Sequence, residues 1–374
     1  MKKISFFLLL FCAVSTSISA QKVNIVINNP SAITRSGAIV SIKWTDVLAK
    51  YPGIDTANFK VVDLDTRKEL PFQLEYIGQK AAQHLLVQLS IEPKAQRKLS
   101  LIPGKPTKLV QKTFARYVPE RFDDFAWEND KVAYRMYGKA LESRNDNAFG
   151  TDVWAKRTSK LVINDWYKSG DYHADHGDGL DYYSVGLTLG AGDIAPFVND
   201  SIYFSKNYHH WKVLDNGPLR STFELGYDEW DVAGNKVKVT KTISLDAGSQ
   251  MNKVKVSYIY AGADSLPVVV GIVKRKEPGS MLMDEQQGVM AYWEPKHGAD
   301  GTIGVGVIIP PALKMNTDKG HLLVHAAAKN NQPLVYYNGS AWDKGGEIIA
   351  AKAWFDYLYN FKQQLQQPLK VELQ

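Results

Sequence analysis

Residues 172–224 carry the densest set of side chains that could do chemistry. Four of the eight histidines lie there, mixed with carboxylates, tyrosines and a tryptophan. The segment opens with the run YHADHGDGLDYY at positions 172–183. Histidine is the usual acid or base near neutral pH and a common ligand of zinc-like metals. The run is therefore predicted to be a catalytic or metal-binding loop, and a hydrogen-bonded polar loop is the alternative.

Three carboxylates of this loop, Asp175, Asp178 and Asp181, are spaced three residues apart with glycines among them. They could hold calcium, but their order is not that of an EF-hand loop. The chain also has no HExxH or CxxC pattern for a transition metal. No metal or other cofactor is therefore predicted, with Ca²⁺ as the alternative. His176 is predicted to be an acid or base, Asp178 a carboxylate base, and Tyr183 the base of a lyase.

A second group of reactive side chains consists of His209, His210 and Trp211. The run is predicted to be a strand, in which neighbouring side chains point to opposite faces. At most one of the two histidines can then face a cleft, so His210 is assigned to the site and His209 to structure. Trp211 could stack on a sugar ring, and packing in the core is the alternative.

Cationic, acidic and aromatic residues outside these groups could bind an acidic substrate. An arginine in a cleft can hold a carboxylate through two parallel hydrogen bonds. A salt-bridge network at a domain junction is the alternative. The predicted substrate-binding residues are Arg121, Glu128, Arg135, Trp154, Trp211 and Arg220.

Composition narrows the range of partners. The chain has 374 residues and a formal net charge of +6, which mildly favours anionic ligands. Long runs of Lys and Arg are absent, so nucleic acid is not expected as a partner. Nine Trp, 19 Tyr and 14 Phe suit β-sheets, and they also suit clefts in which sugar rings stack on aromatic side chains.

Residues 1–20 are predicted to be a cleaved signal peptide. Lys2 and Lys3 precede a short apolar run, and small residues follow it up to Ala20. The single cysteine, Cys12, lies within that apolar run and would leave with the peptide. No other segment is apolar enough to span a membrane. The expected location is therefore periplasmic or secreted.

The rest of the chain is predicted to be all-β, with two domains. Short strands at a spacing of roughly ten residues predict a small β-sandwich domain over residues 21–110. Longer alternating segments predict a large antiparallel β-sandwich over residues 111–374. Residues 161–168 could form a short helix or strand, and residues 346–359 have the pattern of a helix with Trp354 and Tyr357 on one face.

Four motifs resemble a known family. They are RFDDFAWEN at 121–129, GTDVW at 150–154, HGDGLDYY at 176–183 and NGPLR at 216–220. Together they resemble secreted Bacteroidota proteins that form a domain family of unknown function and are often encoded in polysaccharide-utilisation loci, especially those for pectin. The resemblance implies a galactose-mutarotase-like β-supersandwich and a role near uronate-containing polysaccharides. It transfers no catalytic residue, since one fold hosts many chemistries.

The predicted function is therefore that of a carbohydrate-active protein acting on uronate-containing, pectin-type saccharides. The reaction would be epimerisation of an aldose at its anomeric carbon or β-elimination beside a uronate. Both need a base, an acid and a group that handles negative charge. The partner would be an oligo- or polysaccharide containing uronic acid. The alternative is a non-catalytic glycan-binding protein of a polysaccharide-utilisation system, which should present a flat aromatic strip rather than converging titratable groups.

Overall fold

The computed structural model describes residues 23–309 and 314–374, which fold mostly into antiparallel β-sheets. The all-β sandwich class predicted from sequence is confirmed. The predicted signal peptide lies outside the described residues. Within the described part of the chain, no helix is long and apolar enough to cross a membrane.

The first part of the chain forms two small sheets around a core of its own. Their strand orders are β26-β1-β7-β3-β4 and β2-β6-β5. The elements are β1 (Val23–Asn28), β2 (Arg35–Lys43), α1 (Trp44–Lys50), β3 (Phe59–Asp63), β4 (Glu69–Leu70), β5 (Phe72–Glu75), β6 (His84–Ile91) and β7 (Gln96–Pro103), joined by β26 (Lys370–Leu373) from the end of the chain.

The C-terminal strand is where the structure departs from the predicted boundaries. β26 pairs with β1, with Leu373 opposite Ile25, so the end of the chain completes the N-terminal sheet. The predicted boundary at residue 110 assigns this strand to the large domain. Sequence order could not reveal the pairing, because the two strands lie at opposite ends of the chain. The division into two domains itself stays a prediction.

The second part of the chain begins with a small sheet of strand order β12-β11-β10-β9-β8. Short 3₁₀ helices at Pro119–Arg121 and Lys139–Leu141 lie in its loops. Its elements are β8 (Thr113–Val118), β9 (Asp124–Asn129), β10 (Ala133–Met136), β11 (Asp152–Lys156), α2 (Ile163–Ser169) and β12 (Gly179–Leu180).

Two larger sheets enclose the main core. One has the order β14-β13-β19-β24-β23, and the other has the order β15-β16-β17-β18-β25-β22-β21-β20. Their elements are β13 (Ala191–Val198), β14 (Ser201–Ile202), β15 (His210–Asn216), β16 (Arg220–Val232), β17 (Asn235–Asp246), β18 (Met251–Ile259), β19 (Ser265–Val273), β20 (Ser280–Asp284), β21 (Val289–Trp293), β22 (Ile303–Ile308), β23 (Lys314–Asp318), β24 (His321–Lys329) and β25 (Leu334–Trp342).

The predicted helix near the C-terminus is present as α3 (Ala351–Gln366), which begins five residues later than expected. Its buried Trp354 and Leu358 pack on the outer face of the eight-stranded sheet. Gly306 of that sheet makes room for them, because a Cβ there would lie 2.7 Å from Leu358 Cδ1. The helix therefore covers this face of the sheet and keeps it from solvent.

The small sheet buries both of its faces, and they differ in chemistry. Phe125 and Trp127 of β9 point into the main core, whereas the alternate residues Asp124 and Glu128 point to the other face. The second face is covered by α2 and by residues 157–183, so its charged side chains are buried. Ala126 and Trp154 pack there with Ile163, Tyr167 and Tyr172 between the charges.

Glu128 holds the cover onto this face. Its carboxylate accepts hydrogen bonds from the backbone N–H groups of Val162 (2.8 Å) and Ile163 (2.9 Å), where α2 begins. It also pairs with Lys156 Nζ at 2.7 Å, and neither side chain is exposed. Of residues 161–168, for which the sequence allows helix or strand, 163–168 belong to α2, and the start of this helix is anchored by the buried Glu128 carboxylate.

We expect Glu128→Ala to lower the free energy of unfolding by about 3–5 kcal/mol, because it leaves the Lys156 charge buried without a counter-charge. Urea denaturation measures this loss. Glu120→Ala is the matched control, since Glu120 forms an exposed pair with Arg116 that should contribute about 0–1 kcal/mol. Similar losses in the two variants would contradict the anchoring role of Glu128.

Candidate functional site

Segments far apart in sequence meet at a turn formed by Phe122 and Asp123. Both residues have left-handed backbone conformations, with φ of 52° and 62°, which non-glycine residues rarely adopt. Three contacts hold the turn. The hydroxyls of Tyr117 and Tyr208 donate to the side chain and backbone carbonyl of Asp123, and Gly138 packs so closely that a Cβ would collide with that carbonyl.

Next to the turn lies a buried ion network, the Arg135 cluster, which consists of Asp124, Arg135, Asp152 and Asp181. Arg135 donates from Nε to Asp152 Oδ2 at 2.9 Å and from Nη2 to Asp181 Oδ2 at 3.2 Å. Its Nη1 lies 3.7 Å from Asp124 Oδ2. Strands β9, β10 and β11 supply Asp124, Arg135 and Asp152 from the same face of the small sheet. Three carboxylates therefore surround one guanidinium.

Burial raises the pKa of all three carboxyls. Loss of solvation raises the pKa of Asp124 to about 7, although Arg135 and Arg121 oppose the shift. Burial also raises the pKa of Asp152, and it raises that of Asp181 well above its usual range, with the nearby Asp152 charge adding to the effect. A neutral carboxyl can donate a hydrogen bond or a proton. The cluster can therefore hold a proton near neutral pH.

The cluster has polar atoms that the protein leaves unpaired. Among the described residues, buried Nη1 of Arg121, Nη1 of Arg135 and Oδ1 of Asp124 have no hydrogen-bond partner. Buried polar groups are nearly always paired, so such atoms can bind a polar group of a ligand. Arg121, which is half-buried, lies outside the cluster but close enough for its charge to act on Asp124.

Tyr172 and His173 stand beside Arg121. Arg121 Nε donates to the Tyr172 hydroxyl at 3.1 Å. The His173 side chain is 64% exposed, and its Nδ1 lies 2.8 Å from the backbone carbonyl of Asp181. A carbonyl can only accept a hydrogen bond, so the proton belongs on Nδ1, and Nε2 keeps its lone pair. His173 can therefore act as a base at the edge of the Arg135 cluster.

The pair His209–His210 behaves differently from the prediction. His209 lies between two carboxylates, with Nε2 at 2.8 Å from Glu142 and Nδ1 at 2.7 Å from Asp228. His210, at 71% exposure, contacts the same Asp228 at 3.2 Å. Because His209 precedes β15, strand alternation does not separate the two rings. Both rings can therefore contact one carboxylate, and the assignment of His210 to a cleft stays a prediction.

Other predicted catalytic residues have partners away from the cluster. His176 is exposed and pairs with Asp171 at 3.0 Å, and Asp178 lies 3.5 Å from Lys160. The buried ring of Tyr183 lies under Arg275, 4.7 Å from the guanidinium carbon. Burial raises the pKa of Tyr183 well above its ordinary value, which opposes its use as a base.

The predicted substrate-binding residues separate into three groups. Arg121 and Arg135 lie together, as described, and the Trp154 ring packs 5.6 Å from the guanidinium carbon of Arg135. Arg220 pairs with Asp246 and Glu75 at the contact between the N-terminal sheets and β16, which matches the domain-junction alternative. Trp211 is 46% exposed and stacks on Tyr117 at 4.9 Å.

The three carboxylates considered for calcium face different cations. Asp175 contacts Arg157, Asp178 faces Lys160, and Asp181 belongs to the Arg135 cluster. Within residues 23–309 and 314–374, no group of three or more His, Cys, Asp or Glu side chains is arranged to hold a metal ion. The geometry therefore gives the calcium alternative no support, although it does not test cofactor binding.

Five residues of the site were not among the predicted catalytic or substrate-binding residues, namely Asp124, Asp152, Asp181, Tyr172 and His173. Asp124 and Glu128, like Asp152 and Lys156, lie four positions apart on one strand, a spacing that places both on the same face. This spacing could have indicated a charged face of the sheet. Such a face would ordinarily be expected to be exposed to solvent, because a sheet with one polar face usually exposes that face.

Comparison with known proteins places the chain among proteins without an assigned activity. Residues 27–371 match the family described as "Domain of unknown function (DUF4861)". A protein of Formosa agariphila, called "Uncharacterized protein P7", is 30% identical, and the match covers 94% of this chain and 93% of that protein.

Two solved structures from Enterococcus faecalis are similar in fold. A protein in glycosyl hydrolase family 38 matches with a TM-score of 0.55 and 10% identity, over 96% of this chain. This chain spans about half of that protein, 48% of its length. An α-mannosidase from strain V583 matches with a TM-score of 0.48 and 10% identity, over 95% of this chain and 46% of its own. At this identity the likeness concerns the fold alone.

We expect the protein to lose stability as the pH rises through the pKa of Asp124 in the folded state. The substitution Asp124→Asn should weaken this pH dependence. The pKa of Asp124 is raised in the folded state from about 3.9 in an unfolded chain to about 7. The contribution of the protonated carboxyl to the free energy of unfolding is fully present below the pKa of Asp124 in the unfolded chain. It is lost as the pH rises through the pKa of Asp124 in the folded protein. Denaturant unfolding at pH 5 and pH 8 measures the difference.

The control for this prediction is the exposed Asp65, in the variant Asp65→Asn. It should keep the stability difference of the unmodified protein between the two pH values. If Asp124→Asn behaves in the same way as Asp65→Asn, the proton is not held at Asp124.

Proposed function

The chain belongs to the DUF4861 family, and we propose that it is a carbohydrate-active enzyme that cleaves uronate-containing saccharides by β-elimination. One observation carries the proposal. Nη1 of Arg121, Nη1 of Arg135 and Oδ1 of Asp124 are buried and have no hydrogen-bond partner among the described residues. The charges of both arginines act on the Asp124 carboxyl. Together with His173 and Tyr172, they supply what elimination next to a carboxylate requires.

The unpaired atoms suit a carboxylate. Two guanidinium N–H groups can donate to its oxygens in charge-assisted hydrogen bonds, which are stronger than neutral ones. The carboxyl of Asp124, whose pKa of about 7 keeps it partly protonated at neutral pH, can donate a third. Arg135 already faces three carboxylates, but Arg121 has no ion pair within the described residues, and a neutral hydroxyl would give it no counter-charge. A uronate carboxylate is therefore the saccharide group that fits this site.

Binding the carboxylate in this way would promote removal of the proton on the adjacent C5. Negative charge that develops on the carboxylate when that proton leaves is stabilised by the two arginines and the acidic proton. His173 Nε2 would take the C5 proton. The electrons of the C5–H bond form a C4–C5 double bond, and the bond from C4 to the glycosidic oxygen breaks.

Tyr172 would complete the reaction. Its hydroxyl accepts a hydrogen bond from Arg121 Nε and retains its own hydrogen for donation. It can therefore give a proton to the departing oxygen, and the proton gained by His173 returns the tyrosine to its starting state directly or through water. The products are an unsaturated uronate and a saccharide with a new hydroxyl end.

The other predicted functions gain less support. Epimerisation at the anomeric carbon needs an acid and a base but no clamp for a carboxylate, so the paired arginines favour elimination. A glycan-binding module should present a flat aromatic strip, whereas titratable groups converge around Arg135. The fold shared with a glycosyl hydrolase family 38 protein supports a saccharide substrate only by analogy.

We expect the protein to release unsaturated products from uronate oligosaccharides, seen as ultraviolet absorbance. His173→Gln should lower kcat by about 10²–10⁴-fold, the usual contribution of a general base. His176→Gln is the matched control, since it changes an equally exposed histidine of the same loop and should retain turnover. Equal loss in both variants, or turnover in His173→Gln like that of the unmodified protein, would exclude His173 as the base.

Arg121→Gln should weaken binding of a galacturonate oligosaccharide by about 10–100-fold, because a hydrogen bond to a charged group contributes about 1.5–3 kcal/mol. Titration calorimetry measures this change. Arg97→Gln removes an arginine whose pairing with Asp63 is loose, at 3.9 Å, and should bind normally. An oligosaccharide with its carboxyls reduced to alcohols should bind weakly to every variant. Binding of the reduced ligand as tightly as the acid would contradict the clamp.

A further inference from the structure

We propose that a cavity separate from the Arg135 cluster binds one neutral pyranose ring. This Phe149 cavity has a volume of about 330 Å³ and lies beside residues 142–149 and 204–207. Its floor is formed by Phe149, Phe204 and Leu187. Pockets for small ligands begin at about 300 Å³, so the cavity has room for a single ring. The proposal does not depend on the elimination reaction.

The floor of the cavity suits the C–H face of a sugar. The rings of Phe149 and Phe204 meet edge to face, with centroids 5.1 Å apart and planes at 75°. Leu187 is 66% exposed, which places a large apolar side chain at the cavity without protein cover. Apolar surface of this kind gains from contact with another apolar surface in water.

Polar groups stand around this apolar floor. Asn207 Nδ2 donates to Asn147 Oδ1 and to the backbone carbonyl of Gly138, each at 3.1 Å. These bonds fix both amides and leave Asn207 Oδ1 and Asn147 Nδ2 without a hydrogen-bond partner among the described residues. One free acceptor beside one free donor matches sugar hydroxyls, which both donate and accept.

The charges at the cavity favour a neutral ring. Glu142 lies on the wall and is oriented by His209, which Asp228 holds from its other side. Lys206, also on the wall, is exposed and has no ion pair within the described part of the chain. One carboxylate and one ammonium cancel here, whereas Arg121 beside the Arg135 cluster has no ion pair within the described residues. The two sites therefore differ in the saccharide they select.

Saturation-transfer NMR with methyl hexopyranosides tests the proposal. The ring C–H protons of the glycoside should receive saturation from the protein. Leu187→Asp should weaken binding about tenfold or more, because it replaces the apolar floor with a charge. Glu142→Ala should also weaken it. Ile349→Asp is the matched control, since Ile349 is 65% exposed and lies outside the cavity. It should leave binding unchanged.

Further binding measurements test whether the two sites are separate and whether the cavity selects glycosides. Arg121→Gln, which removes a residue of the other site, should bind the methyl glycosides normally. Unchanged binding in Leu187→Asp, absence of binding by every glycoside, or binding of hexanoate with no binding of glycosides would each overturn the proposal. Loss of glycoside binding in Arg121→Gln would also overturn it, because the two sites would then be one.

Discussion

The central constraint of this structure is the burial of charge on one face of the small sheet. Arg135 neutralises only part of the charge of Asp124, Asp152 and Asp181, and Glu128 with Lys156 forms a closed pair at the other end of the same face. Ions out of water are costly unless they are paired and hydrogen-bonded. The cover formed by α2 and residues 157–183 must therefore stay in place, and the ionic groups themselves hold it there.

The two ends of this face differ in how completely their polar atoms are satisfied. Glu128 accepts from Lys156 and from two backbone N–H groups, so its environment is complete and structural. The Arg135 cluster carries more acid than base, and burial raises the pKa of its carboxyls. Unpaired buried atoms and shifted pKa values together are typical of functional sites. The cost of burying charge therefore has two effects on this face. It keeps the Glu128–Lys156 pair and the cover together, and it gives the Arg135 cluster raised pKa values that are useful for chemistry.

The turn at Phe122–Asp123 connects this site to the rest of the molecule. Its left-handed backbone is held by Tyr117, Tyr208 and Gly138, which come from three separate segments. Asn207 reaches the same Gly138 from the Phe149 cavity. These contacts bring segments that are distant in sequence into one region. The histidines at the two proposed sites are His173 and His209.

The sequence by itself determined the all-β class, most strands, the C-terminal helix and the richness of residues 172–224 in reactive groups. These follow from local periodicity and turn chemistry. Only the tertiary structure decided that Asp124, Arg135, Asp152 and Asp181 face one another and that the C-terminal strand pairs with the first. Alternation shows which residues share a face of a strand, but it does not show what covers that face. Covering removes the water, and removal of water turns ordinary surface carboxylates into groups with raised pKa values.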